Sequence, residues 1–388
     1  MAGTTAAQRP PEPDWPAMTD EDLSAYRDAE NRFRASEAAR AFTGQPDPGA
    51  TTEWRHVALD GRELPVRVYR PVPVHDVEDT DGTDRTAETD RTDLTAQAAR
   101  IDRTDLTAQA ARIDRTDLTA QADQTAQTDR TDLTAQTAQT ARTAPPLVLH
   151  VHGGGFVGTA VQCDWVNSHL AARLPALVVS VEHRLLAPDS PLSAAVDDGW
   201  DVLQHVMRHA AQWGVDPART VVFGESCGAL ITALTAIRAR ETGLRLRAQV
   251  LVNPAVDVTG TMFDYASVAE HASGPGLAEP QLRLFQRLAV PPGTDARALS
   301  PLYADSLEEL PPALVVVPTR DAVADHGRRY AERLEEAGTS VRLTEYPGAI
   351  HGFLSLPGVV PQAEAARTEI LAFLRASLAE SGDGTASR

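Results

Sequence analysis

Apolar and polar positions along this chain change rhythm several times. Thr19-Asp20-Glu21-Asp22 is followed by Leu23, Tyr26, Ala29 and Phe33, the spacing of one or two amphipathic helices with Thr19 or Asp20 as cap. Between Trp54 and Tyr69 the period falls to two. Val57 and Leu59 precede Asp60-Gly61, and Leu64, Val66 and Val68 follow, which predicts a β-hairpin. From residue 147 the pattern becomes regular. Apolar runs at 147–151, 176–181, 220–223, 248–252 and 313–317 predict buried strands, and 341–346 predicts another. Helical periodicity lies between them, at 168–173, 191–211, 226–240, 325–337 and 362–378. Residues 259–299 are irregular and amphipathic. Strands apolar throughout, alternating with helices, predict an α/β fold with a mostly parallel sheet covered on both faces.

Three stretches fall outside that pattern. Residues 1–18 are Pro- and Ala-rich and are expected to be disordered, as is the tail at 381–388. Residues 76–145 are tandem low-complexity sequence. Asp-Arg-Thr-Asp-Leu-Thr-Ala-Gln begins at Asp90, Asp102, Asp114 and Asp129, spaced by 12, 12 and 15 residues. A repeat of that length can form a solenoid. One or two leucine or isoleucine positions per copy are too few for a stacked core, so a disordered insertion is expected.

Composition narrows the chemistry. The 388 residues allow one large decorated domain or two small ones. A net charge of −18 argues against nucleic acid and anionic membrane surfaces. The chain has no lysine, which excludes Schiff-base and lysine-nucleophile chemistry. No window holds the roughly 18 apolar residues of a membrane span. The first residues lack the apolar core of a secretory signal. Cys163 and Cys227 make neither a disulfide framework nor a metal site. A cytoplasmic protein is expected.

One stretch carries the candidate chemistry. Residues 220–230 read as a buried strand, a sharp turn and the start of a helix, with Gly224-Glu225-Ser226-Cys227-Gly228 at the turn. A serine at such a tip is held in a strained conformation with its hydroxyl presented, and glycines on either side let strand and helix approach closely. A nucleophilic serine needs a histidine base, an acid to hold that base's tautomer, and N–H donors for the oxyanion. Asp321 follows the strand at 313–317, and His351 follows that at 341–346. Alone, Asp321 reads as an N-cap and His351 as a loop histidine. In the order Ser, Asp, His, each at the carboxyl end of a strand, they read as a triad. Asp325 competes as the acid but reads as a helix cap. His152-Gly153-Gly154-Gly155 supplies donors, and Gly153, Gly154 and Cys227 are the expected oxyanion hole.

His152-Gly153-Gly154-Gly155-Phe156, Gly224-Glu225-Ser226-Cys227-Gly228, Asp321 and Ile350-His351-Gly352-Phe353 together resemble the hormone-sensitive-lipase-like esterases of the α/β-hydrolase superfamily. Arg184-Leu185-Leu186-Ala187-Pro188-Asp189, Asp197-Asp198, Asn253-Pro254 and Leu310-Pro311-Pro312-Ala313-Leu314 add to the likeness. The resemblance implies an α/β-hydrolase fold with an eight-stranded sheet and a helical cap. Its map is cap helices at 19–53, first core strands at 54–75, and the main core at 146–380 with a cap segment near 259–299. It implies a cofactor-free hydrolase of small or medium carboxylic esters, without metal, and a possible homodimer. Removal of an acetyl group from a small metabolite, other amide chemistry, and acyl transfer fit the same triad. Cys227 stands where the family usually has alanine. A thiol at a helix N-terminus can have a lowered pKa, yet the turn presents Ser226. Arg320 stands before the acid, where an apolar residue is more usual, and is read as pairing with a carboxylate or with substrate. Met262, Phe263 and Tyr265 are read either as pocket residues or as packing within the cap.

Overall fold

The structure, a computed structural model, describes residues 8–72, 144–273 and 277–379. The repeat insertion lies outside them except for its last two residues, and the C-terminal tail lies outside entirely. Eight strands form one sheet in the order β1-β2-β4-β3-β5-β6-β7-β8. They are β1 (Ala50–Leu59), β2 (Arg62–Pro71), β3 (Pro146–Val151), β4 (Leu177–Val181), β5 (Asp216–Glu225), β6 (Ala248–Val252), β7 (Ala313–Arg320) and β8 (Val341–Ile350). β1 pairs with β2, and β2 with β4, antiparallel; every other pair is parallel. Eight helices flank the strands: α1 (Asp20–Arg34), α2 (Asp164–Arg173), α3 (Leu192–Arg208), α4 (Cys227–Glu241), α5 (Ala266–His271), α6 (Glu279–Ala289), α7 (Ala324–Glu336) and α8 (Gln362–Ala379). Among the described residues there are also single helical turns at Arg40–Thr43 and Ala210–Trp213 and several short 3-10 turns.

The continuous apolar strands have two buried faces. Along β3, Leu147, Leu149 and Val151 face one layer with Trp200 and Leu203 of α3 and Leu230 and Ile231 of α4. Val148 faces the other layer with Val166 and Leu170 of α2 and Ile370 and Leu374 of α8. The period of two thus feeds two separate cores, with α7 extending the first through Tyr330 and Leu334. None of the helices described is long and apolar enough to cross a membrane.

Two buried carboxylates tie the antiparallel edge to its helices. Asp164, at the start of α2, accepts two hydrogen bonds from Arg67 at 2.6 and 2.9 Å, one from Arg40 at 2.9 Å and one from Tyr69 Oη at 2.8 Å. Asp198 of α3 accepts from Arg62 and Arg184. Removing one partner from such a buried pair strands the other at about 3–5 kcal/mol.

Boundaries shift in several places: β5, β7 and β8 run beyond the apolar runs at 220–223, 313–317 and 341–346. The hairpin strands run further than alternation indicated, because ladder pairing continues through Ala50–Pro71 on exposed positions. α2 begins four residues before the periodic run, at buried Asp164. Residues 8–18, expected to be disordered with the rest of 1–18, are placed and include a turn at Trp15–Ala17. The reason is one side chain: Trp15 is buried edge-on against Tyr26 and Phe285, and a single tryptophan buries enough surface to order a short segment.

Candidate active site

β5 ends at Glu225, and Ser226 caps α4 with φ 54° and ψ −119°. A residue bearing a side chain pays about 1–3 kcal/mol for such a conformation. The surroundings impose it: Ser226 N–H donates to Val252 O at 2.9 Å, while Ser226 O accepts from Ala229 and Leu230. The flanking glycines have a steric cause. A Cβ on Gly224 would collide with the Gly228 carbonyl, and one on Gly228 with the carbonyls of Val151 and His152. Strand β3 therefore packs directly against the first turn of α4.

Asp321 is the residue directly after β7, and His351 the residue directly after β8. The structure brings both to Ser226. His351 Nε2 lies 2.7 Å from Ser226 Oγ, and His351 Nδ1 lies 2.8 Å from Asp321 Oδ2. Asp321 is 1% exposed, and its other oxygen accepts the Val323 N–H at 3.0 Å. An ionised carboxylate only accepts, so Nδ1 carries the imidazole hydrogen and the Nε2 lone pair faces the serine hydroxyl.

The glycine turn follows β3. His152 is buried and donates from Nδ1 to Gly153 O at 2.8 Å, and His183 stacks on its ring at 4.3 Å between centroids. Burial, with neighbouring His183, holds the His152 pKa well below its usual value, so it stays neutral. Gly153 and Gly154 line a cavity of about 650 Å³ together with Ser226 and His351. Their N–H groups, and that of Cys227 at the start of α4, have no hydrogen-bond acceptor among the described residues. Free N–H groups beside a serine oxygen can receive a developing oxyanion.

The N-terminal segment walls this cavity. Thr19 and Asp22 form a reciprocal capping box on α1. α1 is tied over the glycine turn by Arg27, which donates to Phe156 O at 2.9 Å and Leu186 O at 2.8 Å, and by Asn31, which donates to Val157 O at 2.9 Å. Trp15, Tyr26, Phe33, Leu277 and Gln281 line the same space. Met262, Phe263 and Tyr265 take the packing alternative. Met262 is buried with Val268, Leu282 and Val323, and Phe263 and Tyr265 pack against that cluster.

Other sequence expectations change. The Cys227 side chain joins the core cluster under the sheet, and burial pushes its thiol up to about 11. Desolvation outweighs the helix terminus that suggested a lowered value. Asp325 is not the cap of α7: Val323 occupies that position without a side-chain bond, while Asp325 accepts the Ser267 N–H at 2.9 Å and an Arg328 bond at 2.9 Å. Arg320 is exposed, and no ion pair or side-chain hydrogen bond joins it to another described residue. Two residues near the serine had no role assigned to them from the sequence. Glu225 accepts a hydrogen bond from Ser355. Buried Asn253 lines the cavity with both side-chain polar atoms unpartnered among the described residues.

The family model for the alpha/beta hydrolase fold matches residues 148–355. The chain belongs to this family, in its hormone-sensitive-lipase-like branch. Over 243 residues it is 36% identical to Esterase LipI of Mycobacterium tuberculosis, covering 60% of this chain and 73% of that protein. It is 38% identical over 244 residues to Carboxylesterase NlhH of the same organism, covering 60% and 74%. Among solved structures, the Pyrobaculum calidifontis esterase superposes with a TM-score of 0.67 at 26% identity, over 93% of this chain and 94% of that one.

Proposed function

We propose that this protein is a serine carboxylesterase acting on esters of small or medium acyl groups. The observation that carries the reading is the hydrogen-bonded run from Ser226 Oγ through His351 to Asp321 at the wall of the cavity. Ser226 Oγ attacks the ester carbonyl carbon as His351 Nε2 takes its proton. The resulting oxyanion is held by the N–H groups of Gly153, Gly154 and Cys227, and Asp321 stabilises the imidazolium. His351 returns the proton to the leaving alkoxide, and the alcohol departs. Water, deprotonated by the same Nε2, attacks the acyl-enzyme; carboxylate and free Ser226 result.

The substrate range draws support from size and from relatives. A cavity of about 650 Å³ takes a small ester and much of a medium acyl chain. A relative 31% identical over 222 residues is the Ethyl acetate hydrolase of Pseudomonas putida. The N-terminal segment and the region around α5 and α6 act as the cap that sets this preference. Placement in the cytoplasm is supported by two buried free cysteines, which need no oxidising compartment.

A panel of p-nitrophenyl esters from acetate to decanoate, run beside matched N-acetyl anilides, tests the reading. Turnover of the shorter esters without anilide cleavage is expected. Equal cleavage of the anilides would move the assignment to an amidase.

A further inference from the structure

Beneath the serine turn, three buried side chains point their donor atoms at one small space. Glu225 Oε1 is 3.5 Å from Cys163 Sγ and 3.8 Å from His150 Nε2, and the three donors lie within 4.8 Å of one another. His150, Cys163 and Glu225 are exposed by only 0%, 1% and 2%. Ser355 Oγ borders the same space, 3.9 Å from Cys163 Sγ and 3.1 Å from Glu225 Oε2. The arrangement leaves one group unsatisfied: His150 Nε2 has no hydrogen-bond partner among the described residues, although it is fully buried. A polar atom buried without a partner asks for an explanation, an ion among the possible ones.

The spacing suits an ion. A tetrahedral centre with bonds of about 2.0 Å to nitrogen and oxygen and about 2.3 Å to sulfur holds its donors roughly 3.3–3.5 Å apart. The Cys163–Glu225 separation already matches, the His150–Glu225 pair needs to close by about half an ångström, and all three donors lie within 4.8 Å of one another. The far side of the imidazole is braced as a ligand's is: His150 Nδ1 lies 2.8 Å from Ser180 Oγ and 3.0 Å from Asn167 Nδ2. Asn167 Oδ1 is also partnerless, so turning that amide over lets it accept the Nδ1 hydrogen and frees the Nε2 lone pair.

We propose that His150, Cys163 and Glu225 form a zinc site under the nucleophile turn, with Ser355 Oγ or a water from the cavity in the fourth position. One nitrogen, one sulfur and one oxygen favour zinc over calcium or magnesium, which take oxygen donors. Access is through the cavity floor, because Glu225 and Ser355 both line the 650 Å³ space. As the sulfur–zinc bond forms, the Cys163 S–H bond breaks and its proton leaves to solvent. Glu225 binds through Oε1, and its Oε2 keeps the Ser355 hydrogen bond.

Cobalt(II) titration of the full-length, metal-stripped protein tests this. One Co²⁺ per chain should bind with a sulfur-to-cobalt charge-transfer band, and one equivalent of Zn²⁺ should displace it. Cys163→Ala should lose the band and weaken zinc binding at least about 100-fold, while ester hydrolysis reports that it has folded. Cys227→Ala should keep the band. His150→Gln should also lose the site, and it takes over the test if the alanine variant does not fold. No band in the unsubstituted protein, a band that survives Cys163→Ala, or one lost with Cys227→Ala overturns the proposal.

Discussion

Ser355 Oγ donates a hydrogen bond to Glu225 Oε2 at 3.1 Å. Glu225 is the residue before Ser226, and Ser355 lies four residues after His351, so this bond straps the turn that holds Ser226 to the loop that holds His351. Bonds to charged acceptors contribute about 1.5–3 kcal/mol. Ser355→Ala should therefore let the serine and histidine drift, lowering kcat about tenfold while KM changes less than about twofold. Ser355→Thr, which keeps the hydroxyl, should restore most of the rate. Equal losses in both variants would show that Ser355 acts through packing alone.

Asp321 Oδ2 lies 2.8 Å from His351 Nδ1, and in the proposed mechanism this bond fixes the imidazole tautomer. Asp321→Asn keeps the shape but can donate to Nδ1, which favours the tautomer with hydrogen on Nε2. That tautomer cannot accept the serine proton. A fall in kcat of about 10³–10⁴ is expected at neutral pH, with KM little changed. Steady-state kinetics on one short ester is sufficient.

A methyl group at Gly153 would stand 2.8 Å from Glu225 O and 3.2 Å from Ser226 Cβ, both part of the serine turn. Gly153→Ala should displace that turn and move the proposed oxyanion donor out of position, reducing kcat/KM by at least about 100-fold. Gly260→Ala meets nothing within 4 Å and stands at no positive φ, so it should leave activity unchanged and serves as the control.

His326 of α7 is fully buried, with both ring nitrogens unpartnered among the described residues and its ring edge-on to Tyr265 at 4.9 Å. Burial lowers its pKa from 6.5 to about 4. The unfolded chain takes up this proton below about 6.5, the folded chain only below about 4, so the unfolded state binds more protons in that window. Stability from the neutral imidazole is present above pH 6.5 and is lost as pH falls toward 4, about 2 kcal/mol of it by pH 5. His326→Leu should flatten this acid slope. Urea unfolding of both proteins at pH 7 and pH 5 measures it, and an unchanged difference would contradict the burial argument.

Much of this was legible because chemistry and periodicity coincide. A strand buried on both faces is a continuous apolar run, and the residue just past each run is where a loop can present Asp321 or His351. What escaped the reading depends on contacts between distant parts of the chain. Trp15 is one aromatic in a Pro- and Ala-rich stretch, and only its seat beside Tyr26 and Phe285 gives it meaning. Asp325 looked like a cap because it opens a helix, but Ser267 stands 58 residues away in sequence and claims it. His150 and Cys163 were hidden in the same way: one sits near the end of β3, the other in a turn, and the fold alone places them at Glu225.

The central claim is that Ser226 is the nucleophile, and covalent labelling tests it most directly. After treatment with a fluorophosphonate, mass mapping should find one adduct per chain, on the Ser226 peptide, with loss of ester hydrolysis in proportion to labelling. Ser226→Ala should take up no label. An adduct elsewhere, or hydrolysis that persists in Ser226→Ala at the unsubstituted rate, would contradict the account.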